Sequence, residues 1–549
     1  MTKNKQSINL ETLIINNYFV PLHFVVLIII VKELLQSLAQ SSLYKSLLAK
    51  VQAQNSTTVG GLAGASLSAV VANLYTHTHR PLLVLLPDKE ESAYVLNDLE
   101  TLVGEQRVLF FPDSYRRPYQ IEDTDNANVL LRAEVLHQLS HSSKPLIVVS
   151  YPEALFEKVI TRKQLEQNTL KITKGDSLTL EFLNEVLFSY QFNRTDFVTE
   201  PGEFSVRGGI VDIFSFSNNE PYRIEFFGNE VESIRTFDVE SQLSTAQLSQ
   251  IIIIPNVENK ESDEVRQSFL EYISPQTLFI AKDIASLDQK IDKLFAKATD
   301  IYQKLANEVK RTAPEELYCQ TEDLLAQANR LQSIHIGISQ PELTFLTTPQ
   351  PSFNRQFELL IAYLNEKHTE GYQNYILCGT EQQAKRFHDI FEEMEQKVAY
   401  QTVQLSLHAG FVDNELKINV FTDHQIFERY YKFQLKNGYA KKQAITLKEL
   451  MQLEVGDYVT HIDHGIGKFA GLQKIEVEGK QQEAIKLIYG DRDVLFVSIH
   501  ALHKITKYNG KDGKPPKIYK LGSGAWKALK QKTKARVKEI AFNLIQLYA

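Results

Sequence analysis

Residues 59–68, VGGLAGASLS, are where this chain comes nearest to a phosphate-binding loop. A GxxxxGK[ST] loop between strand and helix cradles phosphates with backbone amides, sets a Lys on the outer phosphates and a hydroxyl on magnesium. Gly61 and Gly64 keep the loop shape and Ser68 the hydroxyl, but Ser66 stands at the final Gly and Leu67 at the Lys. Leucine offers neither charge nor donor, and the Ser66 Cβ obstructs close approach of the backbone. The loop is therefore expected not to hold ATP, and no intact motif occurs elsewhere in the chain. A plain Gly-rich turn before a helix accounts for the same residues.

Other reactive residue types are sparse. His461, Asp463 and His464 (THIDHG) lack a third metal ligand and fit a turn between strands. Asp423 and His424 (FTDHQIFER) have no nucleophile beside them and fit the start of a helix over 425–429. Cys319 and Cys378 are the only cysteines, in neither a CxxC nor a Cys/His cluster. That excludes a disulfide framework and structural zinc, and suits a reducing cytoplasm. No catalytic residue and no metal site is expected.

The elements around these residues predict a multidomain α/β chain. PLLVLLP, RVLFFPD and PLIVVSYP alternate with helical stretches, the rhythm of a parallel sheet with crossover helices. This α/β module is expected over 32–151 and 255–333. Within it, 152–254 reads as an inserted α+β domain with short β-branched and aromatic strands joined by Gly and Asn turns. A second α/β domain is expected over 334–446. Residues 447–508 read as a small β-barrel of SH3/Tudor type with Gly at its corners. Over 509–549 a basic linker leads to a helix from about Ala525, whose Val537, Ile540, Ala541, Leu544 and Leu547 recur at helical spacing. Residues 1–31 form an N-terminal extension. Its apolar run at 18–31 is short of a spanning helix, contains Pro21 and His23, and precedes no clear cleavage site. A membrane-anchored regulator built on that run is one reading; a buried helix or an extension outside the fold is the other.

The formal charge is −7, against a generally basic nucleic-acid coat. Charge is nevertheless uneven: 501–540 carries eleven Lys and one Arg against Asp512 and Glu539. Lys504, Lys507, Lys511, Lys514, Lys517 and Lys520 are therefore the candidates for DNA phosphate contacts, with a solvated linker as the alternative.

The segments YQFNRTDFVTEPGEFSVRGGIVDIFSF and YRIEFFGNEVESIRTFD resemble the UvrA-binding domain shared by UvrB and the transcription-repair coupling factors. UvrB keeps a working phosphate loop, so the degenerate GLAGASLS is similar to the coupling factors. UvrB also carries a long aromatic-rich hairpin that grips DNA, where this chain has only Tyr115, Arg116, Arg117 and Tyr119 in a short loop. LEVGDYVTHIDHGIGKFAGLQKI resembles the RNA polymerase interacting domain of coupling factors and CarD-type regulators. KLGSGAWKALKQKTKARVKEIAFNLIQLYA resembles the helix leading into their motor, and the two helicase-type lobes that follow in full-length members are not present.

The resemblance implies an adaptor in transcription-coupled repair that binds stalled RNA polymerase through its β subunit and recruits UvrA. ATP, magnesium and double-stranded DNA would belong mainly to the motor, and no small-molecule substrate is implied. It assigns Arg194, Phe204, Arg207 and Phe214 to the UvrA surface. Both phenylalanines also fit the core, and Arg207 a local pair with a carboxylate such as Glu203. For polymerase it assigns Leu472, Lys474, Ile475 and Val477 on an edge strand, although Ile475 also fits a barrel core. The rival from the enzyme class is a UvrB-like excision protein with nucleotide-dependent DNA binding.

Overall fold

The computed structural model describes residues 12–15, 18–21, 33 and 35–532, apart from 115–125, 197, 217, 219, 240–241, 255–264, 306–311, 430, 432–452, 478–479, 499–503, 509–515 and 527. It divides into two units, one of 1–169 with 256–435 and one of 170–255 with 436–549.

In the first unit, apolar tetrads such as LLVL and IVVS are buried along their whole length, as strands covered on both faces must be. Seven parallel strands lie in the order Leu343–Thr344, Thr57–Gly60, Ser333–Ile336, Leu278–Lys282, Leu82–Leu85, Ile147–Ser150, Val108–Phe111. Helices Ser66–Thr78, Lys89–Val103 and Asn126–His141 connect them. Helix Lys89–Val103 starts where it does because the Asp88 carboxylate accepts the Glu91 amide at 2.8 Å. A second, mixed sheet orders Thr347–Pro349, Phe411–Asp413, Ile418–Thr422, Gln373–Leu377 and Gln401–Val403. Its core is aromatic, with Phe353, Phe387, Phe391 and Phe421 buried under helices Phe357–Thr369 and Glu381–Glu393.

Two boundaries differ from those read in the sequence. The insertion begins near 170 rather than 152, because strand Val159–Ile160 pairs with Arg266–Gln267 and stays with the first unit. Strand Ser333–Ile336, expected to open the second α/β domain, lies inside the first sheet instead.

In the second unit, six strands form a sheet ordered Ser244–Leu248, Glu230–Phe237, Tyr222–Phe227, Ile210–Ile213, Glu203–Arg207, Asn193–Arg194, and Leu170–Thr173 pairs separately with Gln250–Ile253. Helix Leu180–Ser189 buries Leu183 and Leu187. Five antiparallel strands in the order Val494–Ser498, Lys480–Ile488, Gly465–Val477, Tyr458–His461, Ile505–Lys507 enclose Val459, Phe469, Ile485 and Leu487. Ile518 and Leu521 also pack on this core, so a fragment ending at 508 lacks part of it. Residues 525–526 and 528–532 are helical; the apolar stripe from Val537 onward lies outside the described residues.

In the N-terminal extension, Thr12–Ile15 and Tyr18–Pro21 pair antiparallel, so the apolar run at 18–31 opens as a strand; 22–31 lie outside the described residues. Among the described residues no helix is long and apolar enough to cross a membrane.

Candidate functional site

Strand Thr57–Gly60 runs into the Gly-rich loop and the loop into helix Ser66–Thr78, the strand–loop–helix context that a phosphate cradle requires. Gly61 and Gly64 have positive φ of 72° and 54°. A Cβ on Gly61 would meet the Phe345 carbonyl oxygen at 1.9 Å, and one on Gly64 that of Gly410 at 2.4 Å. The close approach that glycine permits is thus made by protein backbone. Two of the loop amides are occupied as well: Ala63 N–H donates to Thr347 Oγ1 at 2.8 Å and Ala65 N–H to the Ala409 carbonyl at 3.1 Å. Thr347 Oγ1 donates onward to the Gly61 carbonyl at 2.7 Å and lies 3.3 Å from Ser66 Oγ. Leu67 is core, 5% exposed. The cavity beside the loop, lined by Tyr44, Leu62, Phe345 and Phe411, holds about 20 Å³. That is room for roughly one water, against the several hundred Å³ of a ligand pocket. The residues present do not fit ATP.

Ser68 contributes to a different cluster. The Asp98 carboxylate accepts Ser68 Oγ–H at 2.8 Å, the His408 backbone N–H at 2.7 Å and His408 Nδ1 at 2.6 Å. Ser68 and Asp98 are fully buried, and Tyr94 stacks on the His408 ring with centroids 5.4 Å apart. Serine, histidine and aspartate are the residue types of a hydrolase, but here the serine donates to the aspartate and not to the histidine. The serine–histidine hydrogen bond of a hydrolytic triad is therefore not made. Burial draws the His408 pKa down, yet the Asp98 charge and hydrogen bond outweigh it and the net shift is upward. His424, whose Nε2 lies 3.1 Å from the His408 carbonyl, is pushed down to about 4, chiefly by burial. Asp423 does not cap the helix as expected; its buried carboxylate pairs with Arg429 at 2.6 Å. Sequence reading missed Asp98 and His408, which stand 310 positions apart with no local signal.

On the 170–255 domain the four expected contact residues part company. Phe204 and Phe214 are 0% exposed and belong to the core rather than to a surface. Phe204 lies in a stretch of its strand buried on both faces, with Glu203 and Ser205 buried beside it. Arg194 is exposed and, among the described residues, makes no ion pair. Arg207 is 35% exposed and pairs with buried Asp212, which Arg223 also grips, Nε to Oδ1 at 2.7 Å and Nη2 to Oδ2 at 2.9 Å. Glu203, the partner considered in the sequence, instead accepts the Thr199 and Glu200 amides. Register places Arg194 beside Phe204, whereas Arg207 is an odd number of residues from Phe204. The two arginines therefore leave opposite faces of the sheet.

The candidate strand of the five-stranded sheet changes partners along its length. Residues Gly465 to Lys468 pair with Tyr458–His461 on one side, and the register then shifts between Phe469 and Leu472. Gly471, at φ 93°, lies in that bulge. Beyond it, Leu472 to Val477 pair only with Lys480–Ile488, so among the described residues one ladder edge is unpaired. Leu472 packs on the core and Ile475 does not, being an odd number of residues away. Ile475 is partly buried; the side chains of Lys474 and Val477 lie outside the description.

The basic segment is partly neutralised. Lys504 Nζ lies 3.9 Å from Asp463, Lys520 is 3.5 Å from Asp491, and Lys517 rests 5.4 Å from the Tyr519 ring centroid. The Lys507 side chain, Lys511, Lys514 and the loop of Tyr115, Arg116, Arg117 and Tyr119 lie outside the described residues. His461 is buried, its Nδ1 accepting the Asp463 amide at 3.1 Å. Among the described residues no group of three side chains is arranged to hold a metal. Trp526, the sole tryptophan, lies against Gly465 and donates from Nε1 to the Ile462 carbonyl at 3.1 Å.

Two families match parts of the chain: the UvrB interaction domain over 170–258 and the CarD-like/TRCF RID domain over 453–509. The chain is similar to the transcription-repair-coupling factor of Bacillus subtilis, 23% identical over 89% of this chain and 48% of the relative. That of Staphylococcus epidermidis is 25% identical over 91% and 49%, and that of Haemophilus influenzae 22% over 88% and 48%. The chain spans about half the length of the curated relatives it matches, and the resemblance read from its motifs holds along nearly all of it.

Proposed function

We propose that this chain is an adaptor of transcription-coupled DNA repair, holding stalled RNA polymerase with one domain and recruiting UvrA with another. What carries the reading is that both matched domains occur in one chain, 170–258 and 453–509, 89% of which aligns with a protein named transcription-repair-coupling factor. The five-stranded sheet is read as a small SH3/Tudor-like barrel that contacts the polymerase β subunit. The unpaired ladder at Leu472 to Val477 supports this, because such an edge can take a partner strand. The helix from Ala525 is read as a linker toward a motor that full-length relatives use on double-stranded DNA. The setting is the cytoplasm, and the buried, unpaired Cys319 and Cys378 fit it.

No ATP is assigned to this chain. The filled amides of the Gly-rich loop favour an adaptor over a UvrB-like nucleotide-dependent protein. Calorimetry with ATP and magnesium should give no binding heat, and phosphate release should stay at blank level. Turnover abolished by Ser68→Ala would return the loop to the nucleotide-binding class.

Recruitment of UvrA is tested by Arg194→Glu combined with Arg207→Glu. Charge reversal at exposed Arg194 opposes the partner without removing core volume, whereas at Arg207 it also sets a carboxylate against buried Asp212, so a thermal melt accompanies the titration. UvrA affinity should fall about tenfold or more, roughly 1.4 kcal/mol. An unchanged affinity would remove both arginines from the contact.

A further inference from the structure

We propose that Phe188 and Arg194 together form the anchor by which the 170–258 domain grips UvrA. This rests on the UvrA reading above and moves its apolar half from Phe204 and Phe214 to a residue that no motif singles out. Helix Leu180–Ser189 buries Leu183 and Leu187, yet Phe188 in the same turn is 51% exposed. Its ring stands edge-on to Phe204, with centroids 5.3 Å apart at 84°. Strand Asn193–Arg194 runs parallel to Glu203–Arg207 with Arg194 in register with Phe204. Phe188 and Arg194 thus border the same buried ring from neighbouring elements.

The turn between them is held in place. Gln191 N–H donates to the Phe188 carbonyl and Phe192 N–H to that of Leu187, both at 2.9 Å, and Asn193 N–H donates to the Gly202 carbonyl at 2.8 Å. An aromatic ring fixed by a T-shaped contact loses little conformational freedom on binding, and an exposed guanidinium that makes no ion pair among the described residues, on the strand next to Phe204, supplies directional donors. Aromatic and Arg side chains of this kind dominate interface energetics. Asn193–Arg194 is also the terminal strand of its sheet among the described residues. The matching surface on UvrA is an apolar pocket with a carboxylate at its rim.

Phe227 provides the control. It is 78% exposed in the hairpin joining Tyr222–Phe227 to Glu230–Phe237. In that hairpin the Asn229 carbonyl accepts the Leu178 amide, which precedes the other end of the helix. The experiment titrates UvrA against the whole chain and against its Phe188→Ser, Phe188→Tyr and Phe227→Ser variants, with a thermal melt of each. Phe188→Ser should weaken binding about tenfold or more, with Phe188→Tyr and Phe227→Ser within about twofold of the parent. A Phe188→Ser variant that binds like the parent, or a Phe227→Ser variant that loses as much, overturns the anchor. Absence of UvrA binding by the parent chain overturns the recruitment reading itself. Should Phe188→Ser melt early, Phe188→Leu keeps the packing on Phe204, and its affinity decides: loss supports an aromatic anchor and parent-like binding rejects it.

Discussion

Replacing Asp98 with alanine should destabilise the first unit by about 3–5 kcal/mol, the range seen when one partner of a buried charged pair is removed. The change strands three donors in the interior, from Ser68 Oγ, the His408 amide and His408 Nδ1. Asp98→Asn keeps one acceptor and should lose less. Native-state hydrogen exchange at the amides around His408 and along Lys89–Val103 measures the effect, and a loss below about 1 kcal/mol would mean that the cluster is incidental. The pH dependence has two opposed parts. The raised His408 pKa means that the pair's contribution is complete below the unfolded histidine value of about 6.5 and fades as pH rises through the folded value. His424, pushed down to about 4, contributes above about 6.5 and loses that contribution as pH falls toward 4. His408→Asn should therefore flatten the alkaline side of the stability profile and leave the acid side.

The second large effect is on polymerase. Ile475 leaves the sheet on the face opposite core residue Leu472, on a segment with one ladder edge unpaired among the described residues. Covering it at a contact contributes about 1.5–3 kcal/mol, and an aspartate there would add the desolvation of an unpaired carboxylate. Ile475→Asp should thus weaken β-subunit binding about a hundredfold, roughly 3 kcal/mol, with the thermal melt retained. Retained binding removes Ile475 from the interface; a collapsed melt places it in the core.

Local features were the legible ones. Leu67 and Ser66 at the Lys and final Gly positions of a phosphate loop are visible within ten residues, and apolar runs such as LLVL announce a covered parallel sheet. What fills the loop was not legible, because Thr347 meets Ala63 from 284 positions away. Phe204 and Phe214 fall to the core alternative that the sequence left open: a motif marks which residues matter to a domain without saying which of them reach solvent, and both are 0% exposed while Phe188, outside the motif, is exposed. The early boundary at 152 arose because nothing in a two-residue strand such as Val159–Ile160 signals its partner at Arg266–Gln267.

The central claim is that one chain carries two independent contacts, and it is tested most directly by mixing the chain with UvrA and RNA polymerase core without ATP and weighing the complexes in solution. The account predicts a ternary complex containing all three. Arg194→Glu with Arg207→Glu should weaken UvrA's entry into it about tenfold or more, and Ile475→Asp that of polymerase about a hundredfold. Mutual exclusion of the two partners, or a ternary complex that survives both changes, would contradict it.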